Sequence, residues 1–165
     1  KVFIYYKRRN PLELQLLELQ LLEYFLKEKK NIDYKVFDYI KTYNEKDYLD
    51  YLKHSKYGII LDAHESQGFA IQEALSCDVP LLVWNTKTMN QEHNSNYKNF
   101  SCTTIPYWDD RCGMVFYESN EISNTFDKFI DNLDNFKPRE YVLNNLGIDI
   151  GCHNFKKLCN VNFAK

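Results

Sequence analysis

The chain has no excess of basic residues, no long apolar run and no closely spaced pair of cysteines. Its formal net charge of -2 gives no clustered attraction for phosphate backbones, which argues against nucleic-acid binding. None of its apolar runs approaches the ~20 residues of a membrane-spanning helix, so we expect no transmembrane segment. With 44% hydrophobic and 27% charged residues among 165, the composition is typical of one compact globular domain.

The five cysteines are odd in number and form no C-x-x-C pair, a pattern that favours reduced thiols over a disulfide framework or a zinc site. They are Cys77, Cys102, Cys112, Cys152 and Cys159. The sequence begins at Lys1 and goes directly into an apolar run, without an initiator methionine or a leader of signal-peptide length. We therefore expect a cytoplasmic protein and a chain that is a piece of a longer one.

Short apolar runs alternate with amphipathic segments along the chain. Strands are predicted at Val2–Tyr6, Tyr34–Tyr39, Tyr57–Leu61, Pro80–Trp84 and Gly113–Tyr117. Helices are predicted at about Pro11–Lys29, Glu45–His54, Phe69–Cys77, Glu121–Phe136, Pro138–Gly147 and Cys152–Cys159. This alternation predicts an α/β fold with a Rossmann-like, doubly wound parallel sheet, in which ligands bind beyond the carboxyl ends of the strands.

The segment from Asn85 to Arg111 is polar and too long for an ordinary connection. A short strand at Cys102–Ile105 is possible within it. The adjacent acids Asp109 and Asp110 invite comparison with metal-binding pairs, but a loop that holds no metal is the simpler interpretation.

Two glutamates flank a glycine turn between the third and fourth predicted strands. If the helix begins at Phe69, Gly68 lets a ligand approach the backbone, and the N–H groups of Phe69 and Ala70 point outward at the positive end of the helix dipole. Glu65 precedes the turn and Glu73 lies inside the helix. The spacing suits a nucleotide sugar, with the diphosphate at the helix terminus, the sugar near one acid and the ribose near the other.

Glu65 and Glu73 are separated by seven residues and followed by Ala74 and Pro80. In this pattern the chain resembles the C-terminal, donor-binding lobe of retaining GT-B glycosyltransferases of the group 1 type. Gly68 matches the glycine that the family has three residues after the first glutamate. The resemblance implies that Glu65 is the catalytic residue beside the donor sugar and that Glu73 bonds the ribose.

The family usually has two basic residues after the first strand, where they contact the diphosphate. Lys7 stands in the place of the first, but the second would fall on Leu12. Arg8 and Arg9 are the candidates to replace it, and Arg9 is favoured because alternate residues of an extended strand point the same way.

Two of the family's glycines are replaced, by Ser66 and by Asp78. The donor-binding residues that the resemblance implies are Lys7, Arg9, Ser66, Gly68, Phe69, Ala70 and Glu73. The donor would be a nucleoside diphosphate sugar, and the family requires neither a metal ion nor a further cofactor.

We therefore expect residues 1–165 to be a single nucleotide-sugar-binding domain, a fragment of a two-lobed enzyme whose N-terminal acceptor lobe is missing. Because active sites of this family lie between the lobes, such a fragment alone would be an incomplete catalyst. Two alternatives stay open. One is a nucleotide-sugar epimerase or phosphorylase on the same fold, and the other is a non-enzymatic nucleotide-binding or interaction module.

Overall fold

A computed structural model describes residues 1–7, 12–39, 41, 43–91 and 99–163 and contains a five-stranded parallel sheet flanked by helices. The strands are β1 (Val2–Tyr6), β2 (Lys35–Asp38), β3 (Tyr57–Leu61), β4 (Leu81–Trp84) and β5 (Gly113–Phe116). Their order across the sheet is β2-β1-β3-β4-β5, and every neighbouring pair is parallel. The predicted α/β class and doubly wound sheet are confirmed.

The helices are α1 (Leu12–Tyr24), α2 (Glu45–Leu52), α3 (Phe69–Ser76), α4 (Ile122–Asp131), α5 (Pro138–Asn145) and α6 (Ile148–Phe163). A π-helical turn at Phe25–Lys29 extends α1, and 3-10 turns lie at Met89–Gln91, Ser119–Glu121 and Leu133–Asn135. The single helix predicted at 121–136 is thus shorter, and α6 is longer than predicted. Within the described residues, none of the helices is both long and apolar enough to span a bilayer.

The strands are continuous apolar runs because helices cover both faces of the sheet. On one face Phe3, Tyr5 and Ile60 pack with α2, α3 and α5. On the other face Ile4 and Ile59 pack with α1 and α4. Alternate residues of one strand therefore enter opposite core layers, so no position of β1 or β3 is left for a charged side chain.

β1 and β3 are hydrogen-bonded neighbours, but the helices that follow them lie on opposite faces of the sheet. α1, after β1, packs against the face of Ile4, and α3, after β3, packs against the face of Phe3. This divergence opens a crevice at the carboxyl ends of the two strands, the topological switch point at which doubly wound folds bind ligands.

The possible strand at Cys102–Ile105 does not form. Ser101 makes only an isolated antiparallel bridge to Thr88. The backbone N–H of Thr104 donates instead to the side-chain oxygen of Asn85, at 2.7 Å. The Asn85 side chain thus accepts the hydrogen bond that the Thr104 N–H would have made to a neighbouring strand.

Two tight backbone positions lie at the amino edge of the sheet. Gly113 opens β5 with a φ of 140°, and a Cβ there would lie 1.9 Å from the carbonyl oxygen of Leu81. Asp78, which replaces one of the family's glycines, has a φ of 61°, and its carboxylate accepts a hydrogen bond from the Arg139 N–H at 3.0 Å. Aspartate is among the few residues that tolerate this left-handed conformation.

Candidate functional site

A pocket of about 230 Å³ opens at the carboxyl edge of the sheet, at the switch point between β1 and β3. Its walls come from the end of β1, the segment after β2, the first turn of α2, the segment after β3 and the start of α3. The lining residues are Tyr5, Lys7, Tyr39, Tyr43, Glu45, Glu65, Phe69, Ala70 and Glu73. The pocket is therefore rich in tyrosine and carboxylate.

An ion pair joins the two strands at the centre of this edge. The Lys7 N–H donates to the Leu61 carbonyl at 3.0 Å, which continues the pairing of β1 with β3 by one residue. The Lys7 Nζ donates to the Glu65 Oε1 at 2.6 Å, and the two side chains are 25% and 16% exposed. The Tyr39 ring lies on another side of the ammonium, 5.4 Å from centroid to Nζ. Half-burial and two partners hold Lys7 in a defined position.

Asp62, the residue after β3, is fully buried behind this pair. Its Oδ1 accepts the N–H of Ala63 at 2.5 Å, and its carboxyl lies near the carboxyl of Glu65. Burial raises the pKa of Asp62 well above its ordinary value, the Glu65 contact raises it further, and the nearby Lys7 opposes the rise only in part. Burial therefore favours the neutral form of the Asp62 carboxyl.

The loop that carries Glu65 is fixed by a network of polar contacts. The Glu65 N–H donates to the Thr103 carbonyl at 3.1 Å. Asn85 Oδ1 accepts the N–H groups of Thr86 at 2.8 Å and Thr104 at 2.7 Å. Asn85, Thr86 and Thr104 are all buried. The polar segment after β4 thus serves as a support for the loop after β3.

The turn before α3 has the backbone geometry that the sequence predicts. Gly68 caps the helix with φ 65° and ψ 51°, the left-handed region that glycine adopts at little cost. The first turn of α3 contains no acidic residue, and the hydroxyl of Tyr48 donates to the Ala70 carbonyl at 2.9 Å. Because the first N–H groups of a helix have no acceptor within it, this end of α3 suits an anion.

Glu73 and Glu45 face the same pocket from α3 and α2. Partial burial, and to a lesser degree the charge of Glu45, raises the pKa of Glu73. Tyr43 lies near both acids, and burial raises the pKa of its hydroxyl as well. These groups offer acceptors to ligand hydroxyls, and the tyrosine keeps its proton at neutral pH.

The structure brings most of the predicted site residues together. Those that line the pocket are Lys7, Glu65, Phe69, Ala70 and Glu73. Ser66 is exposed in the turn beside it, and Gly68 is buried at the helix cap. Arg9, the predicted second basic residue, and its alternative Arg8 lie outside the described residues.

Sequence reasoning missed the tyrosines of the pocket and gave no role to Asp62 or Glu45. A signal for Tyr5 existed, since it precedes Lys7 by two positions on β1 and so points to the same face. Tyr39 follows the carboxyl end of β2, where ligand-binding residues are expected. The positions of Tyr43 and Glu45 depend on how α2 packs, which the local sequence does not reveal.

The acids considered as a metal-binding pair lie elsewhere. Asp109 binds the guanidinium of Arg111 at 2.7 Å, and this hydrogen bond holds the pKa of Asp109 below its usual value. Arg111 also contacts Glu140 of α5 at 3.1 Å. In the described part of the chain, no three His, Cys, Asp or Glu side chains converge as metal ligands.

The chain matches no known family model, no curated protein and no solved structure. The resemblance to retaining GT-B glycosyltransferases consequently depends on the residues quoted from the sequence alone.

Proposed function

We propose that this chain binds a nucleoside diphosphate sugar at the carboxyl edge of its sheet and acts as the donor lobe in retaining glycosyl transfer. The observation that carries the proposal is the pocket at the β1/β3 switch point, where Lys7 and Glu65 meet beside the start of α3. Glu73, the second glutamate of the motif, faces the same pocket.

The charges of the pocket indicate which part of the ligand each group would contact. Three glutamates and one lysine line it, so its described wall as a whole does not attract a polyanion. The diphosphate therefore belongs at Lys7 and the N–H groups at the start of α3, where positive charge is concentrated. The carboxylates suit the hydroxyls of the sugar and the ribose, with Glu65 on the donor sugar and Glu73 on the ribose.

In such a reaction the main task of this lobe is to stabilise the diphosphate as it leaves. Lys7 and the helix N–H groups would meet the developing negative charge with donors already in place. Glu65 would orient the sugar between this lobe and an acceptor lobe. A nucleotide-sugar epimerase or phosphorylase would use the same anion site, and analysis of the products formed from donor alone separates these enzymes from a transferase.

The test is a calorimetric and thermal-shift titration with UDP, GDP, ADP and dTDP, repeated on Glu73→Ala. We expect one nucleotide to bind and the substitution to weaken it by roughly tenfold, since a hydrogen bond to a charged group contributes about 1.5–3 kcal/mol. Glu118→Ala is the control, because Glu118 is an exposed residue after β5 that does not line the pocket. This variant should bind the nucleotide as the wild type does.

If none of the four nucleotides binds at millimolar concentration, the donor-lobe proposal fails and an interaction module becomes the better account. That alternative has an observation in its favour. Large apolar side chains of α5 and α6 are exposed, namely Leu143, Ile148, Phe155 and Leu158.

A further inference from the structure

The cation that would receive the ligand's phosphate already has a carboxylate partner. Lys7 Nζ lies 2.6 Å from Glu65 Oε1, and both side chains are largely withdrawn from solvent. An anion that takes a direct hydrogen bond from Lys7 therefore competes with Glu65. If Glu65 stayed ionised, the phosphate would lie beside a carboxylate in a poorly solvated crevice, where like charges repel strongly.

The groups around Glu65 determine how this competition ends. Asp62, directly after β3, is fully buried near the Glu65 carboxyl, and Tyr5 lies near both acids from β1. The other titratable groups of the pocket are Tyr39, Tyr43, Glu45 and Glu73. Among the described lining residues Lys7 is thus the cation, and the remaining charges are negative.

We propose, on the basis of the donor-binding function above, that Lys7 exchanges Glu65 for the ligand's phosphate and that Glu65 then takes up one proton from solvent. The nucleotide consequently binds together with a proton. One O–H bond forms on the Glu65 carboxylate as one bond to hydrogen breaks in hydronium or a buffer acid, and no other covalent bond changes. In its neutral form Glu65 no longer repels the phosphate and can donate a hydrogen bond to a ligand oxygen.

The geometry explains why the proton goes to Glu65. Burial raises the pKa of the neighbouring Asp62 well above its ordinary value, which favours the neutral form of that carboxyl. Glu65 loses the ammonium of Lys7 and gains an anionic neighbour in the same event. Both changes favour the neutral form of a carboxyl group.

Proton uptake fixes the sign of the pH dependence. Where one proton is bound with each ligand, affinity falls by about tenfold for each unit that the pH rises. Removing the competing carboxylate should raise the affinity for the ligand. Glu65→Gln keeps the shape of the side chain but leaves Lys7 available, so UDP or another diphosphate should bind it about fivefold more tightly.

The experiment is a calorimetric titration of the full chain with UDP, GDP, ADP, dTDP and inorganic pyrophosphate. Each ligand that binds is measured in Pipes, Hepes and Tris at one pH, because the dependence of heat on buffer ionisation counts the protons exchanged. The wild type is compared with Glu65→Gln, so that protonation of the ligand itself cancels. Asp50→Asn is the matched control, since it removes the carboxylate of an exposed lysine pair with Lys53. Thermal melts establish that each variant is folded.

We expect the wild type and Asp50→Asn to take up more protons per ligand than Glu65→Gln, by an amount that approaches one. We also expect Glu65→Gln to bind more tightly and with a flatter pH profile. Binding with equal proton uptake in all three proteins, or weaker binding by Glu65→Gln, overturns the exchange and leaves the donor-binding proposal intact. If none of the probes binds, both proposals are overturned.

Discussion

Two charged clusters occupy opposite edges of the sheet and differ in what surrounds them. At the carboxyl edge, Lys7 and Glu65 are 25% and 16% exposed and lie between a pocket and the buried Asp62. At the amino edge, Arg111 and Asp109 are 31% and 40% exposed and tie the start of β5 to α5 through Glu140. The two ion pairs are similar in chemistry but differ in their surroundings. The pair that is more buried and lies beside a pocket is the candidate ligand site, and the more exposed pair connects elements of the fold.

Gly113 at the amino edge and Gly68 at the carboxyl edge allow the two edges to be compared by substitution. We expect the larger loss of stability at Gly113. A methyl group at Gly113 would overlap the Leu81 carbonyl, which lies 1.9 Å from the Cβ position. We expect Gly113→Ala to separate β5 from β4 and to lower the free energy of unfolding by more than about 3 kcal/mol. Urea unfolding followed by circular dichroism measures this change.

Gly68→Ala is the matched variant at the carboxyl edge. The nearest atoms to its Cβ position are 3.6 Å away, so the cost is confined to a left-handed alanine, about 1–2 kcal/mol. A variant at Gly113 that is as stable as one at Gly68 would contradict the account of the amino edge.

The second prediction separates the two ion pairs by ligand affinity. Lys7→Met should weaken binding of the preferred nucleotide by roughly 10- to 100-fold, because it removes a charged donor to phosphate. Arg111→Met should leave that affinity unchanged and affect only stability. Calorimetric titration of both variants gives the comparison, and an equal loss of affinity in the two would mean that Lys7 has no special relation to the ligand.

The third prediction concerns the buried acid. The pKa of Asp62 is raised in the folded chain, so the folded state holds a proton that the unfolded state releases above about pH 3.9. Stability from this group is fully present below that pH and is lost as the pH rises toward the folded pKa. Asp62→Asn should therefore be more stable than the wild type at pH 7, and the difference should shrink as the pH falls toward 4.

Asn keeps the shape of the aspartate side chain and removes its titration. Urea unfolding at the two pH values tests this sign. A variant that is less stable at pH 7 by the same margin as at pH 4 would show that Asp62 carries no proton in the folded chain.

Much of the fold could be predicted from the sequence, because strands covered on both faces are continuous apolar runs. Val2–Tyr6 and Tyr57–Leu61 have the predicted bounds. The helix predicted at 121–136 was too long, since it ends at Asp131 and a 3-10 turn follows. The strand considered at Cys102–Ile105 was wrong because the buried Asn85 side chain takes the backbone donor of Thr104, a contact across 19 positions.

The candidate site divides in a similar way. Lys7, Glu65 and Glu73 could be found because their positions follow strand ends or a motif spacing. The ion pair between Lys7 and Glu65 joins residues 58 positions apart, and its existence depends on β1 lying next to β3. Tyr43 and Glu45 reach the pocket through the packing of α2, which local patterns do not encode, whereas Tyr5 and Tyr39 could have been found from their positions on β1 and after β2.

The most direct test of the central claim is to map a bound nucleotide on the chain. Amide ¹H–¹⁵N spectra would be recorded as the preferred nucleotide is added, after backbone assignment. The account predicts that the largest shifts occur at Lys7, Glu65 and the start of α3, while the amides around Arg111 and Gly113 stay in place. Shifts centred on the amino edge or on α6, with the carboxyl edge unchanged, would contradict it.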